Sequence, residues 1–162
     1  PFEASTLGLT ASYTYNKTEV TRIAPNPAAL DALGANLERM GRDERGRIEE
    51  GFPRDKFALG GNWTLERWTF NLGSSRYGEF TTRHASNPAQ DQRYGAKWVI
   101  DLSASYRPTE NWSFTLGADN VTDAYPDKVI AANSTFGLIP YSLQSPFGFN
   151  GRYYYARAGY SW

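Results

Sequence analysis

The chain contains no cysteine and only one histidine. Disulfide staples and thiolate metal sites are therefore excluded, which is compatible with an exported protein without establishing one. An excess of charge is missing as well. Seventeen basic and seventeen acidic residues cancel, so the net charge gives no reason to expect nucleic acid or an acidic surface as partner. No run approaches the roughly 18 apolar residues of a membrane-spanning helix, and the mean hydropathy is −0.59. The chain opens at Pro1 with no signal peptide, as expected of a mature or truncated piece. Its 162 residues are enough for one ordinary domain.

Aromatic residues are what the chain has in excess. They make up 15% of it, including eleven Tyr and five Trp. With a polar average and no long apolar run, this composition fits either a soluble β-protein or a membrane β-barrel. The clearest stretch is GRYYYARAGYSW at 151–162. Tyr154, Ala156, Ala158, Tyr160 and Trp162 fall on one side of an extended strand there. Tyr153, Tyr155, Arg157, Gly159 and Ser161 fall on the other. Trp162 is a terminal aromatic with one apolar and one wet side, a form suited to a membrane interface.

The same two-residue period recurs along the chain. Residues 6–18 set Leu7, Leu9, Ala11, Tyr13 and Tyr15 against Thr6, Gly8, Thr10, Ser12 and Thr14. Residues 56–65 set Phe57, Leu59, Trp63 and Leu65 against Lys56, Ala58, Asn62 and Thr64. Residues 68–77 follow, with Trp68, Phe70 and Leu72 on the apolar face. Only Glu66 and Arg67 intervene, and since this is not a favoured primed pair, a tight turn and a slightly longer loop both stay open. Residues 97–107 oppose Trp98, Ile100, Leu102, Ala104 and Tyr106 to Asp101 and Ser103. Residues 112–119 oppose Trp112, Phe114, Leu116 and Ala118 to Thr115, Gly117 and Asp119.

All nine prolines lie outside these segments, as an uninterrupted hydrogen-bonded ladder requires. Connections alternate long and short. In the first long one, Asn26 and Pro27 predict the start of a short helix, with Leu30, Leu33, Leu37 and Met40 at helical spacing. GRDERGRIEEG after it reads as solvated loop, and so does the polar stretch 78–96. The fold class expected is all-β: an antiparallel up-and-down meander of about six strands.

A soluble β-rich binding module, using exposed Trp and Tyr as stacking platforms for carbohydrate, competes with a segment of a transmembrane β-barrel. The aromatics favour the barrel. Trp68, Tyr106, Trp112 and Trp162 gather towards the short turns, and Tyr15, Tyr77, Trp98 and Tyr154 towards the long loops. Two belts flanking an aliphatic band suit a barrel crossing two water interfaces. The opposite faces suit a wet lumen, which makes Lys56, Asp101, Asp119 and Arg157 the lumen-facing candidates. Phe136, Tyr141 and Phe147 are the ligand-contacting candidates in the last long loop, since loops on a rigid scaffold carry binding. His84 reads as a solvated loop residue, and Asp43, Glu44, Glu49 and Glu50 lack calcium-loop order. No catalytic set, metal site or cofactor is expected.

NWSFTLGADNVTDAYP at 111–126 resembles the penultimate strand of TonB-dependent receptors, and SPFGFNGRYYYARAGYSW at 145–162 resembles their last strand. The resemblance implies a carboxyl-terminal portion, 1–162, of a barrel of about 22 strands, without its plug domain. It also implies the Gram-negative outer membrane and the import of a scarce nutrient: ferric siderophore, cobalamin or saccharide. The implied partners are outer-membrane lipid, the plug, the remaining barrel strands and the TonB system. Six strands are expected to be incompetent for transport alone and, in isolation, to self-associate.

Overall fold

The computed structural model describes residues 5–31 and 39–162. In chain order the elements are β1 (Ser5–Tyr15), α1 (Ala28–Asp31), α2 (Arg42–Glu49), β2 (Asp55–Leu65), β3 (Trp68–Tyr77), β4 (Phe80–Thr82), β5 (Gln92–Tyr94), β6 (Lys97–Tyr106), β7 (Trp112–Asp119) and β8 (Tyr153–Tyr160). Six strands make one antiparallel sheet in the order β1-β2-β3-β6-β7-β8, the expected up-and-down meander. β4 and β5 pair separately.

The register gives each face its chemistry. Leu7 opposes Trp63, which opposes Phe70; the row continues through Ala104 and Leu116 to Ala156. Directly opposed residues share a face, so this row and its i±2 neighbours form one apolar surface. The adjacent row runs Gly8, Asn62, Asn71, Ser103, Gly117, Tyr155 on the reverse. There the Asn62 amide donates to Asn71 Oδ1 at 2.6 Å, and the Asn71 amide donates to Ser103 Oγ at 3.2 Å. Small residues leave room on this face. A Cβ on Gly117 would stand 2.2 Å from Tyr155 Cζ, so the tyrosine ring lies across the glycine.

Aromatics close both ends of the apolar face. At the short-turn end Trp68 stacks on Tyr106 at 4.5 Å, and Trp112 meets Tyr160 at 4.9 Å. At the loop end Phe57 packs edge-on against Trp98. Tyr77 does not belong to this belt. It opposes Lys56 and Lys97 and so lies on the polar face, while its neighbour Arg76 takes the apolar-side position and is ion-paired to Asp55 at 2.5 Å.

The apolar surface is left uncovered. Leu9 is 74% exposed and Leu116 67%, and the buried hydrophobic residues among those described are only Phe80, Tyr94 and Ala118. A shallow groove of about 660 Å³ crosses this face between Leu9, Trp63, Leu72, Leu116 and Tyr154.

The connections differ from the sequence reading in several places. β1 stops at Tyr15 rather than continuing to residue 18. The turn after β2 is the tight two-residue form: Leu65 opposes Trp68, and Glu66 takes the positive φ (52°) that primed hairpin turns use. The helical spacing around Leu30 is met by α1 over the described residues 28–31; Leu33 and Leu37 lie outside the described residues, and Met40 is not helical. GRDERGRIEEG is not a plain solvated loop, because residues 42–49 form α2. Glu44 accepts the Gly41 N–H at 3.2 Å, Asp43 and Glu44 fill the first turn, and Arg45 pairs with Glu49 one turn on. The second long loop likewise contains structure: β4 and β5, with Phe80 stacked on Tyr94 at 4.6 Å.

α2 is seated through Gly46, which is buried beneath Arg83; a Cβ there would come within 2.7 Å of the arginine's Cγ and Cδ. Leucine at this position would suit the helix but displace Arg83. Gly46→Leu is expected to cost about 1–3 kcal/mol of docking. The measurement is hydrogen exchange at the Thr81 N–H, which donates to Glu50 O at 2.9 Å. Its exchange should quicken while the Leu102 amide in the ladder is unchanged.

Candidate functional site

The three long loops, 16–54, 78–96 and 120–152, leave the same end of the sheet and dock onto one another. The middle loop is the keystone. From the first loop, Arg42 donates to both carboxylate oxygens of Asp91 and, at 2.9 Å, to His84 O. Arg83 reaches back to Glu50 at 2.9 Å and Glu49 at 3.2 Å. From the third loop, Asn133 donates to Gln90 O at 2.8 Å, and Gln92 both donates to Lys128 O and accepts the Ile130 N–H. Asp127 accepts from Lys97 at 2.7 Å and from the Gly95 N–H at 2.6 Å.

These contacts set the local titration. The Arg42 guanidinium, then the His84 N–H, hold the Asp91 carboxyl down to about 2. Lys97 and the Gly95 N–H depress Asp127, while Arg45 and the Val20 N–H depress Glu49. The crown of loops is thus cross-linked by carboxylates whose partners favour the ionised form.

Between the loops lies a cleft of about 610 Å³, lined by Asp43, Arg47, His84, Asn133, Tyr141 and Gln144 among others. That size is ordinary for a small-ligand site. His84 is half-buried rather than simply solvated. Its Nδ1 accepts the N–H groups of Ser86 (3.3 Å) and Asn87 (3.1 Å), so the neutral ring carries its proton on Nε2.

The candidates named from sequence are placed as follows. Lys56, Asp101, Asp119 and Arg157 all fall on the polar face by register. Lys56 sits 4.8 Å from the Tyr77 ring, and Arg157 lies 4.6 Å from the Tyr155 ring. Asp101 accepts the Asn120 N–H at 2.8 Å and so fixes the exit from β7. Asp119 is exposed at the end of its strand. In the third loop, Phe136 is 92% exposed. Phe147 packs against Tyr77 at 5.5 Å, folding the loop over the polar face. Tyr141 stacks with Tyr125 and Phe149 and alone of the three lines the cleft. Trp162 lies beyond β8 and is fully exposed.

Sequence reasoning missed Arg42, Asp91 and Gln144. The glycine-to-glutamate spacing of Gly41 and Glu44 was a legible cap for α2; nothing local marks Asp91 as its partner.

A family model described as TonB dependent receptor-like, beta-barrel, matches residues 2–121. The chain belongs to this family. TonB-dependent receptor barrels are outer-membrane receptors and transporters of Gram-negative bacteria, and the open meander with all long loops at one end is a segment of such a barrel's architecture. A solved structure of P. aeruginosa FpvA bound to heterologous pyoverdine with iron is similar in fold. It is 20% identical, with a TM-score of 0.51 over 73% of this chain. The match spans 16% of the FpvA chain. No curated protein matches. Among the described residues no helix is long and apolar enough to cross a membrane, which says nothing about strands.

A carboxyl whose folded pKa is lowered adds stability above its unfolded pKa of about 3.9, and that stability is lost as pH falls through the folded value. The Asp91 contribution should therefore be complete above about pH 4 and disappear towards 2. The ¹³C shift of its carboxyl is expected to titrate near 2. In Arg42→Ala the midpoint should return towards the ordinary carboxylate value.

Proposed function

We propose that this chain is part of the wall and outer loops of a TonB-dependent receptor that imports a scarce nutrient across the Gram-negative outer membrane. The observation that carries the reading is the uncovered apolar face, aromatic at both ends, on a sheet whose other face is a hydrogen-bonded polar ladder. A sheet must bury its apolar face against something, and no second layer of this chain does so among the described residues. Lipid fits that face and a water-filled lumen fits the other, which gives Lys56, Asp101, Asp119 and Arg157 to the inner wall. A soluble carbohydrate-binding module would leave the same apolar surface in water.

On this reading the chain acts as receptor and transporter wall, not as an enzyme. The sheet is open, with β1 and β8 each unpaired on one side. Closure comes from the other strands of the parent barrel, and coupling to energy comes through its plug and the TonB system. The six strands do not transport alone. Isolated from the barrel, they associate through their free edges or apolar faces. The nutrient is of the siderophore-iron, cobalamin or saccharide class.

The test is made in the intact, membrane-inserted receptor. Leu102→Arg places a charge mid-band on the lipid side and is expected to destabilise it by about 2–4 kcal/mol. Ser103→Arg, one residue on, should cost much less. Equal penalties in denaturant unfolding would contradict the assignment of faces.

A further inference from the structure

Both ends of the third loop meet in one small knot of side chains, and from it we infer that Asn120 is the positioning residue of that loop. It locks the neck, and through the neck it holds the aromatic wall of the cleft in place. This role does not depend on which nutrient the receptor takes. Asn120 is buried and has a left-handed backbone (φ 51°), a conformation that asparagine tolerates better than most residues. Its backbone N–H goes to Asp101 on the neighbouring strand. Its side chain meets the backbone of Ala124 twice: Oδ1 accepts the Ala124 N–H and Nδ2 donates to Ala124 O, both at 2.8 Å. At the end of β7 the side-chain amide therefore does what the backbone of a partner strand would do.

Asp123, inside the ring that Asn120 closes, is left-handed too (φ 57°) and reaches the far end of the loop. Its Oδ1 accepts the Arg152 N–H at 2.9 Å, and the Arg152 guanidinium donates to Val121 O at 3.2 Å. Gly151 completes the knot. Its φ is 73°, and a Cβ there would stand 2.1 Å from the Tyr125 hydroxyl oxygen, so the chain passes under that side chain only as glycine. Tyr125 then carries the order outward. Its ring stacks on Tyr141 at 5.7 Å, and Tyr141 stacks on Phe149 at 5.9 Å. Tyr141 also bridges to Lys128, beside the Val129 N–H that donates to Pro140 O at 2.9 Å. The cleft-lining Tyr141 is thus tied to Asn120 through Ala124 and Tyr125. The bonds of Gln92 to this loop are exposed, by contrast, and water competes for them.

Asn120→Gly keeps the left-handed backbone accessible and deletes both side-chain bonds, while Gly151→Ala strikes the same knot from the other end of the loop. Hydrogen exchange, resolved to single amides, is followed in the full-length receptor in detergent. In each variant the Ala124 and Arg152 N–H groups should both exchange roughly tenfold faster, although they lie at opposite ends of the loop. The Val129 N–H, which reports the pairing beside Tyr141, should follow, and the Leu102 amide in the ladder should not change. Gln92→Ala, which cuts only a tie to the middle loop, should quicken the Ile130 N–H and leave both neck amides as they were. A response confined to the mutated end, or neck amides that quicken as much in Gln92→Ala, would overturn the positioning role. So would a Leu102 amide that quickens with them, since the knot would then be a general support of the sheet.

Discussion

The constraint on which everything else depends is the unbroken antiparallel ladder with a side-chain period of two. Backbone N–H and C=O groups inside the sheet are paired in its plane, so each strand spends its side chains on two unlike environments. A slip of one residue would send Leu102 to the polar side and Asp101 to the apolar side. The register from β1 to β8 contains no such slip. Pro is absent from every described strand, and glycines such as Gly117 sit where a large neighbour needs the space.

Energetically the molecule is divided in two. Among the described residues the sheet has no packed core of its own. The loop crown holds itself together through Phe80 on Tyr94, through Arg–carboxylate pairs that join α2 to the segment carrying β4 and β5, and through hydrogen bonds of Asn133 and Gln92 and the Lys97–Asp127 pair that bring in the third loop. Such pairs are partly exposed, and singly each contributes little. Their value lies in number and in placing three loops over one end of the sheet, with Phe147 reaching down to Tyr77 on the polar wall.

The strands were legible in the sequence because alternation is a local signal: Leu7 to Tyr15 and Trp98 to Tyr106 each declare their faces without help. The crown was not. α2 reads as solvent-exposed charge until Glu44 is seen to cap Gly41 and Arg83 to lie over Gly46, a contact across 37 residues of chain. Asp91 and Arg42 are each ordinary loop residues in sequence, and only docking makes them a pair. Tyr77 misled for the opposite reason. An aromatic at a strand end looks like belt, yet parity places it on the polar face, where Lys56 and Phe147 use it. Of the loop aromatics, Tyr141 alone lines the cleft, because the side that a loop residue presents is set by tertiary folding rather than by period.

The most direct test introduces single cysteines into β6, which, like the rest of these 162 residues, has none of its own. Spin labels placed one at a time from residue 99 to residue 105 of β6, in the full-length receptor in lipid, report collision with oxygen and with a water-soluble nickel chelate. Oxygen access should peak at positions 100, 102 and 104, and nickel access at 101, 103 and 105. Loss of that alternation, or its inversion, would contradict the lipid-facing and lumen-facing assignment on which the account stands.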